Sequence, residues 1–194
     1  PPDEAVFKPE KVWRDLLPID WLVESLWDGP NMMQCAIWLI PRQVLEKSGL
    51  WDERLSLIND FDFMIRVLLA SEGVKFTEGA RLYYRSAIAQ GSLSGQKSRK
   101  AMESAWLSTD LGCQHILTFE DSERTRKVCA DAYQLWAYNF YPEYPDLTAR
   151  AEQKVKELGG SSYKLPSGKK LAVLRKLLGW KKAKQIHQKI SELT

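Results

Sequence analysis

The sequence is poor in the side chains that bind metal ions or form disulfide bonds. Its 194 residues include three cysteines and two histidines. Cys35, Cys113 and Cys129 are odd in number and far apart, which indicates free thiols in a reducing compartment rather than a disulfide framework or a zinc site. His115 and His187 are also widely separated. We therefore expect no histidine cluster for metal binding or for a catalytic triad.

The sequence also lacks any apolar run near the roughly 20 residues that a membrane span needs, and no signal-peptide pattern opens it. It begins with Pro1-Pro2 and no methionine, so we expect a fragment of a longer protein. With 44% hydrophobic residues the chain can build a core, and its length fits one domain or a domain with an appendage. Together these features predict a cytoplasmic protein.

The net charge is small but unevenly distributed. It is +3 at neutral pH, yet the end of the chain is rich in basic residues and has one acidic residue, Glu192. The basic residues are Lys164, Lys169, Lys170, Arg175, Lys176, Lys181, Lys182, Lys184 and Lys189. A charge run of this kind is most often a solvated helix face, but it also suits phosphate groups or an anionic membrane surface. Peripheral membrane contact is therefore one expectation for this end.

The hydrophobic pattern changes near residue 95. Before it, the nearly continuous apolar run 32–40 predicts a strand buried on both faces, and shorter runs predict strands at 74–76 and 81–85. Helices are predicted at 7–17, 20–27, 41–49, 59–72, 98–119, 121–140, 145–158, 171–178 and 181–193. The expected fold class is α+β and predominantly helical. A small sheet of a few short strands lies in residues 1–95, and residues 96–194 form a helical C-terminal region.

An acidic stretch opens one of the most apolar predicted helices. Phe61, Ile65, Leu68 and Leu69 form a stripe at helical spacing. Asp62 and Arg66 lie four residues apart, within reach of an ion pair. Asn59 or Asp60 is placed to cap the first turn, where the helix dipole favours a carboxylate. The acids serve either as helix caps or as a positioned base, and the spacing alone leaves both interpretations open.

Several short motifs in residues 31–95 occur in an order that is informative as a set. They are Trp38-Leu39-Ile40-Pro41-Arg42, Gly49-Leu50-Trp51-Asp52-Glu53, Asn59-Asp60-Phe61-Asp62 with Arg66, Gly73-Val74-Lys75-Phe76, and Leu82-Tyr83-Tyr84-Arg85 followed by Ser92-Leu93-Ser94. This set resembles the family 2 glycosyltransferases of the inverting GT-A type. The resemblance implies that residues 1–95 are the C-terminal, acceptor-side half of a GT-A-like domain.

The resemblance also implies a transferase function. In that family the residue matching Asp60 is the general base, which takes the proton of the acceptor hydroxyl during inverting sugar transfer. Asn59, Asp62, Arg66 and Trp51 would then support acceptor binding. A further implied pair, Tyr84 and Arg85, would belong to a lid near the donor diphosphate.

The resemblance extends to cofactors and partners. Asp60-Phe61-Asp62 matches the bare D-x-D pattern, but it opens a helix and does not follow a strand, so we assign no metal ligand to this chain. A divalent metal, Mg or Mn, is expected in the full-length enzyme, together with a nucleotide sugar and a saccharide or lipid-linked acceptor. Without the nucleotide-binding half, the fragment is expected to be inactive alone.

An alternative function follows from the basic C-terminus. The chain would then be a helical interaction module that docks an acidic partner or an anionic membrane surface. Nucleic acid is not expected as a partner, because the net charge is mild and no nucleic-acid-binding motif is present.

Overall fold

The computed structural model of the chain describes residues 9–27, 33–83, 95–163 and 169–192. Over these residues the chain forms seven α-helices and one short 3-10 helix, Cys35–Ile37. The α-helices are α1 (Pro18–Leu26), α2 (Arg42–Ser48), α3 (Asn59–Ala70), α4 (Arg99–Phe119), α5 (Glu123–Phe140), α6 (Pro145–Glu157) and α7 (Lys169–Glu192). The described part of the chain is therefore all-helical.

The predicted small sheet is wrong for the described residues, since neither 74–76 nor 81–83 joins a strand ladder. Leu16 and Val74 form an isolated antiparallel bridge with two backbone hydrogen bonds of 3.0 and 2.9 Å. A strand persists only where neighbouring strands satisfy its backbone groups along its length. The α+β class is therefore contradicted, and so is the GT-A-like fold that the resemblance implied.

The apolar run 32–40 shows why the strand prediction failed. Its middle forms the 3-10 helix, and Trp38 directly after it has extended backbone angles, φ −113° and ψ 136°. Trp38 packs edge-on against Trp21, with ring centroids 4.9 Å apart, and Ile40 also packs against the core. Leu39 between them is 100% exposed. The sequence pattern predicted burial on both faces, whereas the described residues cover one face only.

The helix predictions beyond residue 95 are confirmed, and the structure shows how their starts are capped. The side chain of Ser98 accepts a hydrogen bond from the Ala101 amide at the start of α4. Ser122 and Thr125 form a reciprocal capping box at the start of α5. Pro145 occupies the first turn of α6, where its missing amide proton costs nothing. The predicted helix at 7–17 is wrong over its described part, since residues 9–17 form turns and the bridge at Leu16.

The core is built around α3, which packs against α1, α2 and α4. Met64 and Ile65 of α3 are fully buried. Gly112 of α4 permits the close approach of the two helices, because a Cβ atom there would lie 2.6 Å from Cε1 of Phe61 and 2.8 Å from Cδ1 of Ile65. Core residues come from both sides of residue 95. The division into domains 1–95 and 96–194 stays a prediction.

The last helix, α7, is broken where the sequence predicted. Gly179 has φ 77° and ψ 161°, so the helix kinks there and continues to Glu192. Glycine adopts this backbone conformation without the steric penalty of a Cβ atom. Across residues 9–27, 33–83, 95–163 and 169–192, no helix combines the length and the apolar character that a membrane crossing requires.

Candidate functional site

The predicted acidic site lies at the first turn of α3, and a strained residue precedes it. The N-cap position is occupied by Ile58, which has φ 50° in the left-handed region and makes no side-chain cap hydrogen bond. That conformation is uncommon for any residue other than glycine and costly for a β-branched one. Asn59 and Asp60, predicted as caps, are instead the first and second residues of the helix, although the Asp60 carboxyl still accepts hydrogen bonds from the backbone amides of Asp60 and Phe61.

Two serines of α4 hold this turn in place. Ser104 Oγ accepts hydrogen bonds from the amides of Ser56 and Leu57 at 2.7 and 2.9 Å, and donates to the Leu57 carbonyl at 3.0 Å. Ser108 Oγ donates to the Ile58 carbonyl at 2.7 Å and accepts from the Asp62 amide at 3.3 Å. Both serines are buried. They satisfy the polar backbone groups of the turn and offset the strain at Ile58.

The ion pair between Asp62 and Arg66, predicted from their spacing, is confirmed. Asp62 is 2% exposed, and its Oδ2 accepts hydrogen bonds from Nε and Nη2 of Arg66 at 3.1 and 2.9 Å. The same guanidinium donates to the backbone carbonyls of Ser48 and Leu50, at 2.5 and 2.9 Å. Arg66 therefore fastens the end of α2 and the following loop to α3. The pair stabilises the junction of these elements.

His115 of α4 is part of the same cluster, although the sequence did not predict it. Its Nε2 lies 3.4 Å from Oδ1 of Asp62, and this buried oxygen has no hydrogen-bond partner among the described residues. Burial opposes ionisation of Asp62, but Arg66 and His115 outweigh it and lower the pKa of the carboxyl below its usual value. No histidine cluster for metal binding or for a catalytic triad was expected from the sequence, and a single histidine beside one carboxylate is neither.

Asp60 has a different environment from Asp62. Its carboxyl is partly buried, and burial raises its pKa above the usual value, although hydrogen bonds from the backbone amides of Asp60 and Phe61 partly oppose this. A carboxylate with a raised pKa is a stronger base than an exposed one. This property alone does not identify a reaction, and the assignment of Asp60 as a general base stays a prediction.

Of the remaining residues implied by the resemblance, only Trp51 is among the described residues. Trp51 stacks on Phe63 with ring centroids 4.0 Å apart, so one face of its indole is already covered. Tyr84 and Arg85 lie outside the described residues. Among the described residues, no group of three or more histidine, cysteine or acidic side chains is arranged to hold a metal ion.

Two basic residues in the second half of α7, residues 180–192, make internal contacts. Lys184 donates to the carbonyls of Tyr138 and Tyr141 and lies 4.5 Å from the centroid of the Tyr138 ring. Lys181 pairs with Glu152 at 2.7 Å. Ala183, which lies between Lys181 and Lys184 in the sequence, is buried. These contacts attach α7 to the end of α5 and to α6.

The first half of α7, residues 169–178, is different, because it exposes apolar and cationic side chains together. Val173 is 57% exposed and Leu177 is 75% exposed, and Leu178 is also exposed. Lys176 is exposed beside them. We call the set Val173, Lys176, Leu177 and Leu178 the α7 patch. The basic residues of this region were predicted from the sequence, but its exposed leucines were not.

Comparisons of the chain with protein-family models, with curated proteins and with solved structures find no match. The resemblance to family 2 glycosyltransferases is therefore supported neither by a family match nor by the fold, and we withdraw it.

Proposed function

We propose that this chain is a helical docking module that binds an anionic partner through α7. The single observation that carries the proposal is the α7 patch, where a cation and three apolar side chains are exposed on two turns of one helix. Leu177 at 75% exposure gains free energy when a partner covers it.

The charge of the helix indicates the sign of the partner. Besides Lys176, the lysines Lys182 and Lys189 of α7 are exposed. The acidic residue nearest to them in sequence is Glu192, at the last turn. Cations concentrated on one helix raise the local concentration of anionic partners and steer their approach. The partner is therefore acidic.

The internal contacts of α7 show which lysines serve docking. Lys181 forms an ion pair with Glu152 of α6, and Lys184 donates a hydrogen bond to a carbonyl of α5. These two lysines therefore position the helix. Lys176, Lys182 and Lys189 are the cations that a partner meets. Neutralising the two groups separately therefore distinguishes loss of docking from loss of structure.

Sugar transfer with Asp60 as general base is not part of the proposal. Its basis was the glycosyltransferase resemblance, which the helical fold contradicts. The associated expectations of a nucleotide sugar, a saccharide or lipid-linked acceptor and a divalent metal stay untested predictions. The partly buried Asp60 is equally consistent with a structural acid at a helix start.

The test measures binding of the full chain to two anionic probes, poly-glutamate and vesicles containing phosphatidylserine, at low and high ionic strength. We expect binding to at least one probe, and we expect it to weaken as salt screens the charges. Changing Lys176, Lys182 and Lys189 to glutamine should weaken vesicle binding about a hundredfold, from roughly 1 kcal/mol per lysine near such a surface.

A matched control changes three exposed basic residues elsewhere, Arg42, Lys47 and Lys100, to glutamine. Both variants remove three positive charges from the net charge of +3, so each has a net charge of 3 − 3 = 0. If the two variants lose affinity equally, total charge and not α7 drives binding. Equal loss, or no binding to either probe, contradicts the proposal.

A further inference from the structure

Two of the exposed apolar residues of α7, Val173 and Leu177, lie on one side of the helix. Val173 and Leu177 are four residues apart, so their side chains are neighbours on the helix surface. Lys176 precedes Leu177, about 100° around the helix, and lies at the border of this apolar strip. A strip of large apolar side chains bordered by cations is typical of helices that lie in the interface of a membrane.

The second half of α7 is anchored, which makes the exposure of the first half significant. Trp180 contacts the rings of Tyr138 and Tyr141, with centroids 5.9 and 5.4 Å apart. Lys184 donates to the carbonyls of these two tyrosines. The half of α7 after the kink at Gly179 is therefore packed on the rest of the protein. In the half before the kink, Val173 and Leu177 remain exposed.

The size of the patch argues for a lipid surface rather than a folded protein. The six residues 173–178 span about 9 Å of helix, and a helix about 10 Å wide presents only about 90 Å² along that length. A stable protein–protein interface buries about 800 Å² on each partner. A bilayer interface has no such requirement, because its binding strength is the sum of a few inserted apolar side chains and the attraction between cations and anionic headgroups.

We propose that the partner of α7 is the headgroup layer of an anionic lipid bilayer, into which Val173 and Leu177 insert while Lys176 and Lys182 meet lipid phosphates and carboxylates. This inference rests on the proposed docking function and names its partner. The long stems of the lysines lie along the apolar boundary and their ammonium groups reach the headgroups.

The test compares two double variants of the full chain. Val173→Ser with Leu177→Ser removes the inserting side chains and leaves every charge in place. Leu39→Ser with Leu50→Ser is the matched control, since these leucines are 100% and 84% exposed and lie outside α7. Binding is measured by co-sedimentation with vesicles of phosphatidylcholine containing phosphatidylserine, and separately to poly-glutamate. Far-UV circular dichroism and urea unfolding check that each variant is folded.

We expect the α7 double variant to lose about a hundredfold in vesicle affinity, from roughly tenfold per apolar side chain. Its affinity for poly-glutamate should stay unchanged, and the control should bind both probes as the parent does. Vesicle binding that is insensitive to the α7 double variant overturns the inference, because no apolar insertion then occurs.

The same assays separate this inference from the docking function. Strong binding to poly-glutamate with no binding to vesicles overturns the bilayer as partner and leaves an acidic protein in its place. Binding to neither probe overturns the docking function itself. Equal loss on both probes in the α7 double variant also counts against the bilayer, since it shows that the two side chains support the helix and are not inserted into lipid.

Discussion

Charged side chains are used in opposite ways at the α3–α4 contact and in α7. At the α3–α4 contact, Asp62 is buried, and its charge is paired with the guanidinium of Arg66, while Nε2 of His115 lies 3.4 Å from its other oxygen. In α7, Lys182 and Lys189 are exposed to solvent. A buried charge is tolerated only when it is paired, because desolvation costs several kcal/mol. An exposed charge needs no partner within the chain. The first region is therefore fixed by its charges, and the second has its charges available for another molecule.

The largest expected effect comes from unpairing the buried carboxylate. Arg66→Ala removes both hydrogen bonds to Asp62 and the two to the carbonyls of Ser48 and Leu50. We expect the free energy of unfolding to fall by about 3–5 kcal/mol, since one partner of a buried pair is removed and the other charge stays buried. Equilibrium unfolding in urea measures the change.

Arg54→Ala is the control for that experiment. Arg54 also forms a close ion pair, with Asp52 at 2.6 Å, but its side chain is 68% exposed. Its removal should barely shift the urea midpoint, because an exposed ion pair is screened by solvent. If Arg66→Ala were as mild as Arg54→Ala, the charges of the α3–α4 contact would not be structural, and the contrast with α7 would disappear.

A smaller effect is expected within α7 itself, where docked and exposed lysines are close neighbours. Lys184→Met removes the hydrogen bonds to the carbonyls of Tyr138 and Tyr141 and the contact with the Tyr138 ring. We expect a loss of about 1–2 kcal/mol in the free energy of unfolding, as for hydrogen bonds donated by a charged group. Lys182→Met, at an exposed position, should change it by no more than about 0.5 kcal/mol.

The two lysine variants are compared by urea unfolding under identical conditions. Both lysines belong to one basic run in the sequence, and the experiment tests whether only Lys184 is packed against the rest of the protein. Equal stability of the two variants would mean that Lys184 does not dock α7 against α5. In that case the division of the helix at Gly179 into an anchored and an exposed half would be wrong.

The helices were predictable because their signals are local. The stripe Phe61, Ile65 and Leu68 gave α3, and the spacing of Asp62 and Arg66 gave their ion pair. The break between the predicted helices 171–178 and 181–193 is also read from adjacent residues, Gly179 and Trp180. Within the described residues these predictions agree with the structure.

The sheet and the rest of the polar cluster depend on partners far away in the sequence. The run 32–40 has the composition of a buried strand, but composition does not supply the neighbouring strands that a ladder needs. His115 and Asp62 come from different helices, so no spacing rule joins them. Ser104 and Ser108 are four residues apart on α4, which places them on one face of that helix. That face contacts the start of α3 only after the helices pack.

The smallest predicted effect is a difference in pH dependence between the two acids of α3. The pKa of Asp62 is lowered in the folded chain, so its contribution to stability is present above the unfolded value of about 3.9 and is lost as the pH falls. The pKa of Asp60 is raised, so its contribution is present below that value and is lost as the pH rises through the folded pKa.

Asparagine at each position separates the two cases. Relative to the parent chain, Asp60→Asn should become more stable as the pH rises from about 3.5 to 7, by up to about 1 kcal/mol, because the variant has no charge to desolvate. Asp62→Asn should become less stable over the same range, because the parent gains an ion pair that the variant lacks. Urea unfolding at several pH values measures both differences. Parallel curves for the two variants would show that the carboxyls share one environment. In that case the distinction between Asp62 as a paired buried charge and Asp60 as a desolvated charge at the helix start would be wrong. Asp60 is also the residue for which the sequence made its main functional prediction.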